Sequence, residues 1–102
     1  MQHYLDAYTV FLKVEHGLSE NTLKNYLADV RDFLQFAERE LEHWSFVEFD
    51  SEFIRSYLAA SQEARKLSPY TLARRISGLR LYFEFLHTEG LLPKNPMQLI
   101  EG

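Results

Sequence analysis

The sequence predicts an all-α fold, a bundle of four main helices plus a short C-terminal helix in one domain spanning residues 1–102. Three observations support this prediction. Apolar residues recur at helical spacing in four segments, good N-caps and glycines separate those segments, and no segment alternates as a strand does. Hydrophobic residues make up 46% of the chain, which is enough for a single packed core without disulfides.

The first two helices are predicted over residues 2–16 and 19–40. Gly17 supplies the stop of the first, and Ser19 is a good N-cap for the second. In both, the apolar residues fall on one face. These inward residues are Tyr4, Leu5, Tyr8, Phe11 and Leu12 in the first helix, and Leu23, Tyr26, Leu27, Val30, Phe33, Leu34 and Ala37 in the second.

The outward face of the second helix allows two interpretations. It combines amides, two cations and a small alanine, which suit the approach to a DNA duplex. The same residues also make an ordinary solvent face, and the acids Asp29 and Asp32 favour that second interpretation. The outward residues are Asn21, Lys24, Asn25, Ala28, Arg31, Asp32 and Gln35.

Residues 44–49 predict an aromatic connector that plugs the core with Trp44 and with Phe46 or Phe49. Asp50 then caps a third helix that runs to about Ala64. Its core positions are Phe53, Ile54, Tyr57, Leu58 and Ser61. The dipeptide Asn95-Pro96 precedes the short fifth helix, predicted over Met97–Ile100.

The fourth helix begins after Ser68, has Pro69 in its first turn, and ends near Thr88, with Gly90 as its left-handed cap. Its N-terminal half is expected to turn polar or small residues outward, whereas its C-terminal half is apolar almost all round and should be enclosed. The predicted buried stripe is Leu72, Ile76, Leu79, Phe83 and Leu86, with Leu81, Tyr82 and Phe85 also enclosed. The predicted outward residues are Tyr70, Thr71, Arg74, Ser77 and Gly78.

The charges are sorted along the chain. The net charge of −4 argues against a nucleic-acid partner. However, residues 65–83 contain five of the eleven basic residues and no acid, whereas residues 41–64 contain five acids and only one basic residue. A local positive patch can therefore coexist with an acidic whole, although the same residues also suit a solvated face.

The sequence carries no recognisable catalytic or cofactor site. It contains no cysteine and no glycine-rich loop, and its histidines (His3, His16, His43 and His87) show no metal-ligand spacing. We therefore expect no enzyme activity, metal or other cofactor within these residues. The absence of cysteine, of a signal peptide and of an apolar membrane span leads us to expect a cytoplasmic protein.

Two segments, residues 17–36 and 67–96, resemble the N-terminal core-binding domain of tyrosine recombinases of the Xer and phage-integrase type. Their order and their separation of roughly fifty residues match that family. The shared residues are Ser19, Thr22, Tyr26 and Phe33 in the first segment, and Ser68, Thr71, Arg74, Arg75, Ile76, Ser77, Leu79, Arg80, Tyr82, Phe83, Gly90, Asn95 and Pro96 in the second.

The resemblance implies a SAM-like helical domain that clamps one face of a recombination half-site in double-stranded DNA. Two of its helices, equivalent to residues 19–40 and 68–88, would approach the major groove and the flanking phosphates. The DNA-binding residues it implies are Ser19, Asn21, Thr22, Lys24 and Asn25 on one surface and Ser68, Tyr70, Thr71, Arg74, Arg75 and Arg80 on the other. This prediction requires Lys24 and Arg74 to form one cationic front that no carboxylate neutralises.

Alternatives remain for several residues. Arg75 and Arg80 lie beside the core stripe, so an intramolecular pair with an acid is an alternative for each. Leu27 and Ala28 stand where the family often has a basic pair. The family's catalytic residues belong to a separate C-terminal domain, which, with other recombinase subunits, would be a partner of this one.

A second class of function is a helical module for protein interaction or oligomerisation without DNA affinity. It would use exposed apolar patches at Leu91-Leu92 and at residues 97–100.

Overall fold

A computed structural model describes residues 4–100 and shows four helices. They are α1 (Leu5–Val14), α2 (Glu20–Glu40), α3 (Ser51–Arg65) and α4 (Pro69–Thr88), and two short 3₁₀ turns cover Phe46–Glu48 and Pro96–Leu99. No strand occurs among these described residues, so the all-α prediction is confirmed. The predicted start of the first helix at residue 2, and His3, lie outside the described residues.

Local sequence signals set the ends of the helices. The side-chain oxygens of Ser19, Asp50 and Ser68 each accept a hydrogen bond from the backbone N–H three residues later, at 3.3, 2.8 and 3.1 Å. These bonds satisfy N–H groups that the first turn of a helix leaves without partners. Gly17 and Gly90 adopt the left-handed backbone conformation after α1 and α4, with φ of +57° and +80°. The predicted caps at Ser19, Asp50, Ser68 and Gly90 are thus confirmed, whereas α1 ends at Val14 with Glu15 as its C-cap, two residues before the predicted end and before Gly17.

The core is built around α4, which packs against α1, α2 and the second 3₁₀ turn. Its C-terminal half is enclosed as predicted, since Tyr82, Phe83 and Leu86 are all fully buried. The ring of Tyr82 meets that of Tyr8 in α1 at a centroid distance of 5.2 Å, and Phe83 meets Phe33 in α2 at 5.8 Å. These aromatic contacts join three helices into one core.

The prediction that Gly78 faces outward is wrong. Gly78 is buried, and a Cβ atom added there would lie 3.5 Å from the ring of Tyr26. Its carbonyl accepts a hydrogen bond from the buried hydroxyl of Tyr8, at 3.0 Å. Gly78 therefore lies where α4 packs on α2, which the sequence of α4 alone does not reveal. Tyr4, predicted to face inward, precedes α1 and is exposed.

The two 3₁₀ turns partly match their predictions. Phe49 is the fully buried plug of the aromatic connector, while Trp44 and Phe46 are half-buried. The predicted fifth helix is instead a single 3₁₀ turn of four residues, Pro96–Leu99. Asn95 caps it by accepting a hydrogen bond from the N–H of Met97 at 2.9 Å.

Two arginines hold the C-terminal segment on the bundle. Arg55 of α3 donates a hydrogen bond to the carbonyl of Leu99 at 2.8 Å, and Arg80 of α4 donates one to the carbonyl of Ile100 at 3.0 Å. Because each guanidinium reaches a backbone carbonyl, the second 3₁₀ turn is tied to two helices at once.

Candidate nucleic-acid interface

The exposed face of α2 carries cations without acidic partners. Asn21, Lys24, Ala28 and Arg31 are exposed on it. Within residues 4–100, no ion pair involves Lys24 or Arg31. A shallow depression runs along this face; its lining residues are Glu20, Asn21, Leu23, Lys24, Leu27 and Arg31. Positive charge on this face is therefore available to a ligand.

The N-terminal turns of α2 and α4 have the same hydrogen-bonded cap. In each, a serine hydroxyl donates to the threonine hydroxyl three residues later at 3.1 Å and accepts from the threonine backbone N–H. The pairs are Ser19 with Thr22, and Ser68 with Thr71. Tyr70, in the first turn of α4, has 77% of its surface exposed. Both helix ends thus present hydroxyl groups at the surface.

Arg74 does not extend freely into solvent, contrary to the prediction. Its Nε and Nη2 atoms donate to the two carboxylate oxygens of Asp29 at 2.9 and 2.8 Å, and 25% of its side chain is exposed. The hydrogen bond to Asp29 raises the pKa of Arg74 above its ordinary value, so the guanidinium remains charged. The pair spans α2 and α4, which explains why the sequence of α4 did not reveal it.

Arg75 makes a second set of contacts, which is more deeply buried than that of Arg74. The residue is 8% exposed. Its Nη1 atom donates to Asp32 at 2.8 Å and to the hydroxyl of Tyr57 at 2.9 Å, and its Nε atom lies 3.6 Å from Asp29. The intramolecular acid pair, left open as an alternative for Arg75, is thus confirmed. Arg75 therefore has no accessible edge for a ligand.

Asp32 gathers partners from two helices. It accepts hydrogen bonds from Tyr57 at 2.7 Å and from Arg65 at 2.8 Å, in addition to the one from Arg75. Burial alone would raise the pKa of Asp32, but these hydrogen bonds and the charges of Arg75 and Arg65 lower it below its ordinary value. The carboxylate is therefore held ionised at neutral pH.

We call this set of side chains the acid–arginine cluster, and the sequence did not predict it. Its members are Asp29, Asp32, Tyr57, Arg65, Arg74 and Arg75. The sequence analysis treated Asp29 as an acid of the outward face of α2, whereas the side chain of Asp29 is only 2% exposed and is paired with Arg74. The available signal was that Asp29 and Asp32 flank the apolar stripe one turn apart.

The remaining predicted residues lie in different settings. Asn25 is half-buried, one turn before Asp29 on α2. Arg80 is exposed, but one of its N–H groups is used by the carbonyl of Ile100, a partner other than the acid considered from sequence.

The structure does not form the single cationic front that Lys24 and Arg74 were expected to make. The partner of Arg74 on α2 is Asp29, five residues from Lys24, which corresponds to about 140° around the axis of an α-helix. Lys24 therefore lies on a different side of α2, and a carboxylate neutralises Arg74. The arrangement that the sequence-based prediction required is therefore absent. The site consists instead of two surfaces, an open cationic face on α2 and a paired arginine beside the first turns of α4, and any role in binding must be argued for each surface separately.

The apolar patch expected for a protein-interaction module is mostly absent from the surface. Leu92, Met97 and Ile100 are buried in the core, and Leu91 is half-buried. Leu99 is exposed. The segment therefore mainly closes the core of the bundle.

Within residues 4–100 no three histidine or acidic side chains are grouped so that they could hold a metal ion. No helix of that part of the chain is long and apolar enough to span a bilayer.

The fold is that of a small all-α domain of four helices, two of which begin at a serine cap. The chain belongs to the family described as the phage integrase N-terminal SAM-like domain, whose model matches residues 5–90. The resemblance noted from the sequence is therefore confirmed. No solved structure gives a significant match to the chain.

Proteins named tyrosine recombinase XerC are similar to this chain over nearly its whole length. The protein from Staphylococcus epidermidis is 37% identical over 101 residues, which cover 98% of this chain and 33% of that protein. The protein from Pseudomonas syringae pv. tomato is 32% identical, covering 94% of this chain and 31% of that protein. The chain thus spans about one third of the length of these relatives.

Proposed function

We propose that this chain is a DNA-binding module of a site-specific tyrosine recombinase or integrase that clamps a recombination half-site through α2 and α4. Membership of the integrase N-terminal domain family supports the class of function. The observation that carries the proposal is the exposed face of α2, where Lys24 and Arg31 have no acidic partner within residues 4–100. Cations of this kind bind phosphates, and the neighbouring amide of Asn21 can read a base edge.

The start of α4 supplies the second proposed surface. Hydroxyl groups and backbone N–H groups at a helix N-terminus suit phosphate oxygens. We leave Arg75 out of the proposed contacts because it is buried in the acid–arginine cluster. The proposed DNA-binding residues are Ser19, Asn21, Thr22, Lys24, Asn25 and Arg31 on α2, and Ser68, Tyr70, Thr71, Arg74 and Arg80 on or before α4.

In this proposal the chain contributes binding and not catalysis. Strand cleavage would belong to a C-terminal catalytic domain of the full protein, and that domain and neighbouring recombinase subunits would be partners of this one. We also propose that the protein acts in the cytoplasm and needs no cofactor for binding double-stranded DNA.

Titration of fluorescently labelled duplex DNA, followed by anisotropy over a range of salt concentrations, tests the proposal. We expect non-specific binding with a dissociation constant of about 10⁻⁴–10⁻⁶ M that tightens at low salt. The double variant Lys24→Ala/Arg31→Ala should bind more weakly. Its slope of log affinity against log salt should be shallower by about 1.8, since each neutralised phosphate contributes about 0.9.

The matched control is Arg39→Ala/Lys94→Ala, which removes the same charge from exposed positions outside the proposed surface. We expect this control to keep nearly the wild-type slope. Equal losses in both double variants would show that only net charge matters, and absence of wild-type binding at low salt would contradict the proposal.

A further inference from the structure

The contact between Arg74 and Asp29 uses only one edge of the guanidinium. An arginine has five N–H donors in a fixed plane. Asp29 accepts one hydrogen bond from Nε and one from Nη2 of Arg74, at 2.9 and 2.8 Å. Within residues 4–100, no hydrogen bond involves Nη1 of Arg74. The remaining donors therefore lie on the edge turned away from Asp29.

The carboxylate of Asp29 is more deeply buried than the guanidinium of Arg74. The side chain of Asp29 is 2% exposed, whereas that of Arg74 is 25% exposed. The acid–arginine cluster contains three guanidiniums and two carboxylates, so it keeps one net positive charge despite its internal pairs. An anion approaching from solvent therefore reaches the guanidinium of Arg74 more readily than the carboxylate of Asp29.

The neighbours of this edge favour an anion. Tyr70 is exposed one turn before Arg74, and Ser77 follows three residues after it. No acid occurs between residues 65 and 83. The hydroxyl groups of Tyr70 and Ser77 are donors of the kind that accompany arginine in contacts with phosphate.

We propose that Asp29 is a positioning residue that holds Arg74 with its outer N–H edge directed at a phosphodiester oxygen of duplex DNA. This inference rests on the DNA-binding function proposed above and assigns the phosphate contact to an arginine already paired with an acid. A long, flexible side chain loses rotamer freedom when it binds, and a bidentate acid contact has already removed much of that freedom. Asp29 thereby strengthens DNA binding although it adds a negative charge.

The proposal and net charge alone predict opposite effects of Asp29→Asn on DNA affinity. Removing a negative charge should tighten DNA binding if only net charge matters. If Asp29 positions Arg74, Asp29→Asn should weaken binding about two- to threefold, because the amide offers one acceptor where the carboxylate offered two. The control Asp6→Asn removes an exposed acid of α1 and should leave binding unchanged or tighten it.

Arg74→Ala should weaken binding about fivefold, the upper end for a solvent-accessible ion pair, and should lower the salt slope by about 0.9. In the Arg74→Ala background, Asp29→Asn should no longer weaken binding. Arg74→Lys keeps the charge without the planar fork and should bind almost as weakly as Arg74→Ala. The affinities are measured by anisotropy titration of a labelled duplex, under conditions in which circular dichroism shows that each variant is folded.

The outcomes separate the two proposals. If the wild-type chain does not bind the duplex, the DNA-binding function itself fails. If the wild-type chain binds but Arg74→Ala and Arg74→Lys bind equally well, only the inference on Arg74 is overturned. If Asp29→Asn tightens binding as Asp6→Asn does, Arg74 can still contact phosphate but Asp29 does not position it. If Asp29→Asn does not fold, Arg74→Lys still decides whether the guanidinium fork matters.

Discussion

The first turns of α2 and α4 begin with the same Ser-x-x-Thr cap but continue into different environments. After Ser19, α2 keeps one face in solvent, and its cations Lys24 and Arg31 stay exposed. After Ser68, α4 is enclosed by α1, α2 and the second 3₁₀ turn, and its Arg74 and Arg75 pair with acids of α2. A local motif therefore sets where a helix begins, whereas tertiary packing decides whether its charges reach a ligand.

The largest expected difference between α2 and α4 is in the stability that is lost when an arginine is replaced by alanine. Arg75→Ala should lower the free energy of unfolding by about 3 kcal/mol, because it removes a buried side chain together with its charge-assisted hydrogen bonds to Asp32 and Tyr57. Arg31→Ala, on the exposed face of α2, should change it by less than about 0.5 kcal/mol. Urea denaturation measures both. Similar effects of the two substitutions would contradict the assignment of Arg75 to the core and of Arg31 to an exposed face.

Acid should weaken the acid–arginine cluster before it affects the α2 face. The pKa of Asp32 is lower in the folded chain than its ordinary value of about 3.9. Its ionised form therefore stabilises the fold above that value, and this contribution is lost as the pH falls through the folded pKa. Urea denaturation of the wild type and Asp32→Asn at about pH 7 and about pH 3 tests this. Their difference in stability should shrink at the lower pH; a constant difference would contradict the role of Asp32.

The two caps should contribute equally if the motif acts locally. Ser19→Ala and Ser68→Ala each remove the acceptor of one N-terminal N–H and should each cost about 1 kcal/mol. Thermal unfolding followed by circular dichroism gives the two values. A much larger cost at Ser68 would show that its cap also supports the packing of α4, which would sharpen the contrast between the helices.

The smallest expected effect is at Gly78, where α4 meets α2. Gly78→Ala adds a Cβ at 3.5 Å from the ring of Tyr26, an ordinary van der Waals contact. Alanine also favours the helix by up to about 1 kcal/mol over glycine, so the variant should be as stable as the wild type or slightly more stable. Gly78→Leu serves as the contrasting variant, because its longer side chain must displace Tyr26. A destabilised Gly78→Ala would mean that the two helices tolerate no added atom there.

The sequence predicted the features of the fold that depend on neighbouring residues. The bounds of α2 and α4, their serine caps and the left-handed Gly90 follow from local patterns, and the structure confirms them. The pairing of Arg74 with Asp29 could not be predicted in this way, because the two residues are 45 positions apart and meet only where α2 packs on α4. The buried position of Gly78 has the same cause.

The same contrast between local patterns and contacts of distant residues applies to the candidate site. The polar residues of α2 were predicted as an outward face, and Lys24 is exposed there. The arginines of α4 were predicted to join that face, and instead Arg75 is buried and Arg74 is bound by an acid. The DNA-binding proposal therefore depends first on α2 and only then on the outer edge of Arg74.

The most direct test of the account is a titration of the isotopically labelled chain with duplex DNA, followed by amide chemical shifts in NMR spectra at low salt. If both proposed surfaces bind the duplex, shifts should concentrate in residues 19–31, at the start of α2, and in residues 68–77, at the start of α4. Shifts confined to residues 42–49 and 91–100, or no shifts at all, would contradict it.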